Sequence, residues 1–197
     1  MKLYQLTKMM YEKKLLKSKW FDRVITLLNK LGLSYIWKDY GTVNTDWFIK
    51  EYMRRLKDQY LQKWHNELTT SEKGITYRIF KEGFKFEKYL NSLSDCYKFD
   101  LARFRLSNHR LPIEIGRYKN IPRKDRLCKL CSMGVLGDEF HFLFECEKLA
   151  RMRKKYLPES YLQHCSVFKF RKLFQSQNND LLIKVAMFIK DAGKLFI

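Results

Sequence analysis

Between residues 126 and 146 the chain reads RLCKLCSMGVLGDEFHFLFEC, in which Cys128, Cys131, His141 and Cys146 follow the spacing C-x2-C-x9-H-x4-C. No other feature constrains the fold so tightly, because four N/S donors within nineteen residues act together only if the loop between them closes on one point. A Cys-x-x-Cys turn presents two thiolates to a single ion, and zinc takes four such ligands in a tetrahedron that is closed to solvent in structural sites. Gly134 and Gly137 permit a tight reversal between the two halves of the set, and Phe140, Phe142 and Phe144 are expected to form its apolar cover. Two other readings compete: a redox Cys-x-x-Cys pair, for which no thioredoxin-like βαβ pattern is present, and buried apolar thiols beside a satisfied core histidine. The spacing favours zinc. His141 and Cys146 lie five residues apart, about 140° apart on a regular α-helix, so the pattern predicts a helix start or an irregular turn between them. Cys96, His164 and Cys165 have no partner at ligand spacing.

The flanking sequence has helical periodicity. Leu3, Leu6 and Met10, then Val24, Leu27, Leu28 and Leu31, recur at helical spacing, with Gly32 placed as a C-terminal stop. The stretch NTDWFIKEYMRRLKDQYLQKWHNEL predicts a long helix capped by Thr45 or Asp46, with Ile49, Met53, Leu56, Tyr60 and Trp64 as its buried stripe and His65 at the boundary. Tyr77, Phe80, Phe84 and Leu90 predict a further aromatic-faced helix after a poor capping box at Ser71. Asn179 or Asp180 is placed to cap a last helix whose inner face is Leu181, Leu182, Val185, Phe188 and Ile189. The expected fold is mainly α, a helical domain with an embedded small CCHC zinc-binding loop. It divides into a helical N-terminal region (1–100), a basic CCHC module (101–158) and a C-terminal helical closure of the core (159–197).

A hydrophobic share of 46%, with 15 Phe, 12 Tyr and 4 Trp, supplies a core and argues against disorder. Forty Lys and Arg against 21 Asp and Glu leave a net charge of +19, a field that draws polyanions, nucleic acid foremost. The lysines at the start interrupt any signal-peptide core, and the apolar run near the C-terminus is nine residues and carries Lys184. A bilayer span takes about 20, so no membrane role is expected. Five cysteines then fit an intracellular, reducing compartment. Nine basic residues lie between 103 and 129, six of them arginine, whose planar fork suits phosphates and base edges. About half of those arginines are expected to brace the fold instead.

The segment FRLSNHRLPIEIGRYKNIPRKDRLCKLCSMGVLGDEFHFLFECEKLARMRKKYL resembles the zinc-binding segment near the C-terminal end of non-LTR (LINE-type) retrotransposon reverse transcriptase polyproteins. The resemblance rests on Phe104 to His109, Gly116–Arg117, Arg126 to Cys131, Asp138 to His141, Cys146, and Arg151 or Arg153. It extends more loosely over residues 47 to 193. It implies a C-terminal piece of such a polyprotein, with Cys128, Cys131, His141 and Cys146 as ligands and a role in binding the element's RNA or its target DNA. The chain carries neither a polymerase-type [YF]-x-D-D signature nor a carboxylate–histidine set suited to a nuclease, so no enzymatic activity is expected. Arg117, Lys119, Arg123, Lys124, Arg126, Arg151, Arg153 and Lys154 are the expected phosphate contacts. Of these Arg126, two residues before Cys128, could instead brace the loop against Asp138 or Glu139. The alternative is a structural domain that docks on other protein, such as the rest of a polyprotein, through its aromatic faces.

Overall fold

The computed structural model describes residues 2–38 and 43–196. It is mainly helical, and no strand forms among these residues; the one ladder contact is an antiparallel bridge between Leu127 and Leu136. No helix of the described residues is long and apolar enough to cross a membrane. The chain divides at His65/Asn66, inside a long helix, into two compact units.

The first unit holds α1 (Lys2–Glu12), α2 (Lys19–Lys30), α3 (Tyr35–Lys38) and most of α4 (Thr45–Thr70). Ser18 caps α2, and Gly32, at φ 66°, ends it in the left-handed conformation that a glycine adopts without steric penalty. Its core is Leu28, Leu31, Leu33 and Ile36, against which Val24, Phe48 and Tyr52 pack. Arg55 donates through Nη1 to the carbonyls of Leu31 and Gly32, each at 2.8 Å, so a cation from α4 satisfies acceptors at the end of α2. Two expectations for α4 are corrected. Its cap is Asn44, whose Oδ1 accepts from the Trp47 N–H at 2.9 Å. Its packed side runs through Phe48, Tyr52 and Arg55, whereas Ile49, Met53, Leu56 and Tyr60 are exposed.

The second unit begins with α5 (Gly74–Phe80), α6 (Tyr89–Ser92), α7 (Asp95–Arg105) and α8 (Pro112–Tyr118). After the metal-ligand loop come α9 (Ala150–Tyr156), α10 (Glu159–Leu162), α11 (Val167–Phe174) and α12 (Asn179–Gly193). The single helix expected over 77–90 is broken. Residues 81–88 are irregular, and Glu87 is drawn instead into ion pairs with Lys81 and with the buried Arg105, the latter at 2.9 Å. Arg105 also stacks over Phe80 and Tyr89 and donates to the Phe174 carbonyl at 2.7 Å. Asn178 caps α12 from outside the expected pair, through its Oδ1 and the Leu181 N–H. Leu182, Val185, Ala186 and Phe188 of α12 are buried, and α12 packs along α7. The expected boundaries at 100/101 and 158/159 therefore do not separate units, because both sides of each contribute to one core.

That core is aromatic. Phe104, Phe142, Phe170, Phe174 and Phe188 are buried together, with Phe104 stacked on Phe174 at 5.6 Å. Phe142 and Phe144 belong to it too: Phe142 meets Phe104 and Phe188, and Phe144 meets Phe170. Rather than covering the ligand loop locally, these rings root it in the main core.

Candidate metal centre

The ligand loop starts where Arg126 leaves the short 3-10 turn Arg123–Asp125. Cys128 N–H donates to the Val135 carbonyl at 2.8 Å and Gly137 N–H to the Arg126 carbonyl at 2.9 Å, which closes a narrow knuckle around Cys128 and Cys131. Gly134 turns it at φ 64°. Gly137 serves differently: a Cβ there would lie 2.7 Å from Pro112 Cγ and 3.1 Å from Cys128 Cα, so the absence of a side chain lets the knuckle lie against α8. Gly116 does the same for Arg126, whose Cγ would stand 2.5 Å from an added Cβ.

The second half of the loop is a π-helical turn, His141–Glu145, in which Cys146 N–H donates to the His141 carbonyl at 2.9 Å. The i→i+5 bond brings residues five apart onto one side of the chain, which a regular helix would not do. It is the irregular turn that the ligand spacing predicts. Asp138 starts it, accepting from the His141 N–H at 2.9 Å through Oδ1. Burial raises the Asp138 carboxyl above the ordinary carboxylate range, with that hydrogen bond opposing.

The four donor atoms of Cys128, Cys131, His141 and Cys146 all lie within 4.8 Å of one another. Cys128 Sγ is 4.0 Å from Cys146 Sγ, and Cys131 Sγ is 3.4 Å from His141 Nε2. His141 Nδ1 faces Glu145 Oε2 at 3.4 Å, the outer carboxylate contact that typically orients a ligating imidazole and leaves Nε2 for an ion. Burial and the neighbouring Cys128 thiol push the Cys146 thiol up to about 12, so an ion must displace its proton on binding. Three thiolates and a neutral imidazole around a dication leave a net negative charge. Arg153 is positioned to offset it: the residue is 8% exposed, donates through Nη2 to the Cys146 carbonyl at 2.7 Å, and has its Nε buried with no hydrogen-bond partner. Burial lowers the Arg153 pKa, and the nearby Cys146 opposes that shift. The donor set, its spacing and this buried cation fit a metal ion bound by Cys128, Cys131, His141 and Cys146.

Two of the eight expected phosphate contacts are corrected. Arg126 is buried and donates to the carbonyls of Ile121 at 2.8 Å and Ile113 at 3.1 Å, so it braces the knuckle against α8 through backbone and not through Asp138 or Glu139. Arg153 is turned inward as described. Arg117 is half-buried, paired with Glu114 at 2.9 Å and stacked on Tyr118. Lys119, Arg123, Lys124, Arg151 and Lys154 are exposed and make no ion pair among the described residues.

Glu139 is the residue that sequence reasoning undervalued. It is 2% exposed and accepts hydrogen bonds from Thr76 Oγ1 at 2.8 Å, Ser107 Oγ at 2.7 Å and His109 Nε2 at 2.9 Å. Burial pushes its carboxyl up, but the hydrogen bonds from His109 and Ser107 outweigh this and hold it below the ordinary range. The Ser-x-His of residues 107–109 and the Asp-Glu before His141 thus meet around one buried carboxylate, and their pairing in the sequence was the available signal. The fold and site define a mainly helical chain with a buried metal-ligand set of three cysteines and one histidine. No family model, curated protein or solved structure matches the chain.

Proposed function

We propose that this chain is a zinc-stabilised nucleic-acid-binding module of the kind found in non-LTR retrotransposon reverse transcriptase polyproteins. Zinc bonds of about 2.0–2.3 Å to tetrahedral corners put donor atoms roughly 3.3–3.8 Å apart, close to the separations of 3.4 and 4.0 Å in the cluster. Closed four-ligand sites of this type are structural, so zinc here holds a shape.

The observation that carries the nucleic-acid reading is the rim of that shape. Lys119, Arg123, Lys124, Arg151 and Lys154 stand exposed and make no ion pair among the described residues, on segments anchored by the knuckle and the aromatic core. Support for the family reading is that the motif residues Ser107, His109, Gly116, Arg126, Asp138 and Glu139 each have a physical task around the ligand loop, while Arg105 braces the aromatic core. Phosphate contacts position a protein without reading sequence, so strands of unrelated sequence are bound about equally.

The test is fluorescence anisotropy of a labelled oligonucleotide with zinc-loaded protein over a salt series. Each phosphate contact contributes about 0.7–0.9 to the slope of log affinity against log salt, and a steep slope is expected. A flat response favours the second reading, protein docking, for which the exposed Trp47, Ile49, Met53 and Leu56 of α4 are the specific observation.

A further inference from the structure

The cations expected from sequence lie between 117 and 126 and in α9, yet the clearest basic concavity is elsewhere. A cleft of about 420 Å³ is lined by Arg103 of α7, Asn108, His109 and Arg110 of the following connection, and Lys190 and Lys194 of the α12 end. Asp100 is its one carboxylate. A second cleft, of about 280 Å³, shares Arg110 and continues past Pro112 and Ile115 to Lys129 of the knuckle and Phe196. Arg103, Arg110, Lys129 and Lys190 make no ion pair among the described residues, and Lys194 is held by Asp191 at 2.9 Å.

The backbone positions that carry these cations are set by the core. α7 and α12 pack along each other and set Arg103 against Lys190 across the opening. The turn that carries Asn108 to Arg110 is held by Ser107, at φ 50° with its hydroxyl on Glu139, and by His109, whose Nε2 meets the same carboxylate. Lys129 sits between Cys128 and Cys131, so its backbone is held by the hydrogen-bonded knuckle. Because the backbone is already placed, ordering on binding is confined to the side chains themselves.

We propose that the two clefts, joined at Arg110, seat the phosphodiester backbone of a nucleic-acid strand, with Arg103, Arg110, Lys129 and Lys190 as its phosphate contacts. This rests on the nucleic-acid reading above and adds a place to it. Concavity favours a strand over a membrane surface, since the cations line walls rather than a flat face. The arginine forks match phosphate oxygens, and the apolar floor at Pro112, Ile115 and Phe196 suits sugar edges. Direct base-edge readout is not part of the proposal.

The experiment uses the full zinc-loaded chain and the variant Arg103→Ala/Arg110→Ala/Lys190→Ala, titrated against a fluorescein-labelled oligo-dT and against phosphatidylserine vesicles. All three side chains are exposed, so zinc content and the thermal transition should match the parent. The expected result is a salt slope lower by about 2 units, three contacts at about 0.7 each for a single strand, with weaker binding at every salt concentration. An unchanged slope in the variant, with the parent binding in a salt-dependent manner, overturns the cleft and leaves the nucleic-acid reading standing. A parent that does not bind the oligonucleotide overturns both. Loss confined to the vesicles overturns the strand in favour of a lipid surface.

Discussion

Replacing Glu139 with alanine should destabilise the second unit by about 3–5 kcal/mol, although the residue ligates nothing. The carboxylate accepts from Thr76, Ser107 and His109 at 2.7 to 2.9 Å and is 2% exposed. Thr76 and Ser107 are themselves buried, so truncation strands both hydroxyls without giving them water. Each stranded donor costs about 1–3 kcal/mol. His109, with 12% of its side chain exposed, recovers part of its loss from solvent. Two full penalties and part of a third reach about 3–5 kcal/mol, the range found when one partner is stripped from a buried charged contact. All four tryptophans, Trp20, Trp37, Trp47 and Trp64, precede residue 66. Urea unfolding of zinc-loaded protein must therefore be followed by circular dichroism, because tryptophan emission reports the first unit. Adding Ser107→Ala should cost less in the Glu139→Ala background than in the parent, since its acceptor is already gone. The carboxyl is held below its ordinary value of 4.5, so its contribution is complete above that pH and is lost as the pH falls through the lowered folded value. A loss below about 1 kcal/mol, with parent-like cooperativity, would refute the buttress argument.

Four further outcomes are expected. Chelating the metal should unfold much of residues 117–156 while helicity from α4 persists, because site affinity appears as folding free energy; an unchanged circular dichroism melt after complete metal removal would contradict it. Zinc uptake should strengthen with pH by about tenfold per unit for each thiol proton displaced, led by Cys146, whose thiol is pushed up to about 12; competition titrations across the neutral range measure it, and pH-independent affinity would count against a site built on three thiolates. Gly137→Ala should cost about 1–3 kcal/mol through overpacking against Pro112 and Cys128, and Gly134→Ala, with open space but φ 64°, about 1–2; a thermal transition left unchanged by either substitution would contradict the argument for that glycine. Arg54 and Arg55 hold the Glu51 carboxyl down to about 2, so its stabilisation of the first unit is full above about 4.5 and fades as the pH falls toward 2; an acid titration of Glu51→Gln, followed by tryptophan emission, should converge on the parent at the low end.

Much of the metal set could be read directly from the chain, because ligand chemistry is local. Cys128, Cys131, His141 and Cys146 carry the donors, their spacing carries the loop, and the five-residue step from His141 to Cys146 already demanded the non-α turn that occurs. Helix periodicity was equally local, and α2, α4 and α12 run close to where their apolar residues and stop signals put them. What only tertiary structure decided was which side of each element faces inward and which charges remain available. Ile49, Met53 and Leu56 have the period of a buried stripe, but the first unit packs on Phe48, Tyr52 and Arg55. Arg126 and Arg123 look alike in a basic run, yet the gap left by Gly116 draws Arg126 onto two backbone carbonyls while Arg123 stays in water. Arg103 and Lys190 are far apart in the sequence and line one cleft because α7 packs on α12. A charge is visible in one residue. Its partner, its burial and its neighbours depend on segments dozens of residues away, and folding alone brings those together.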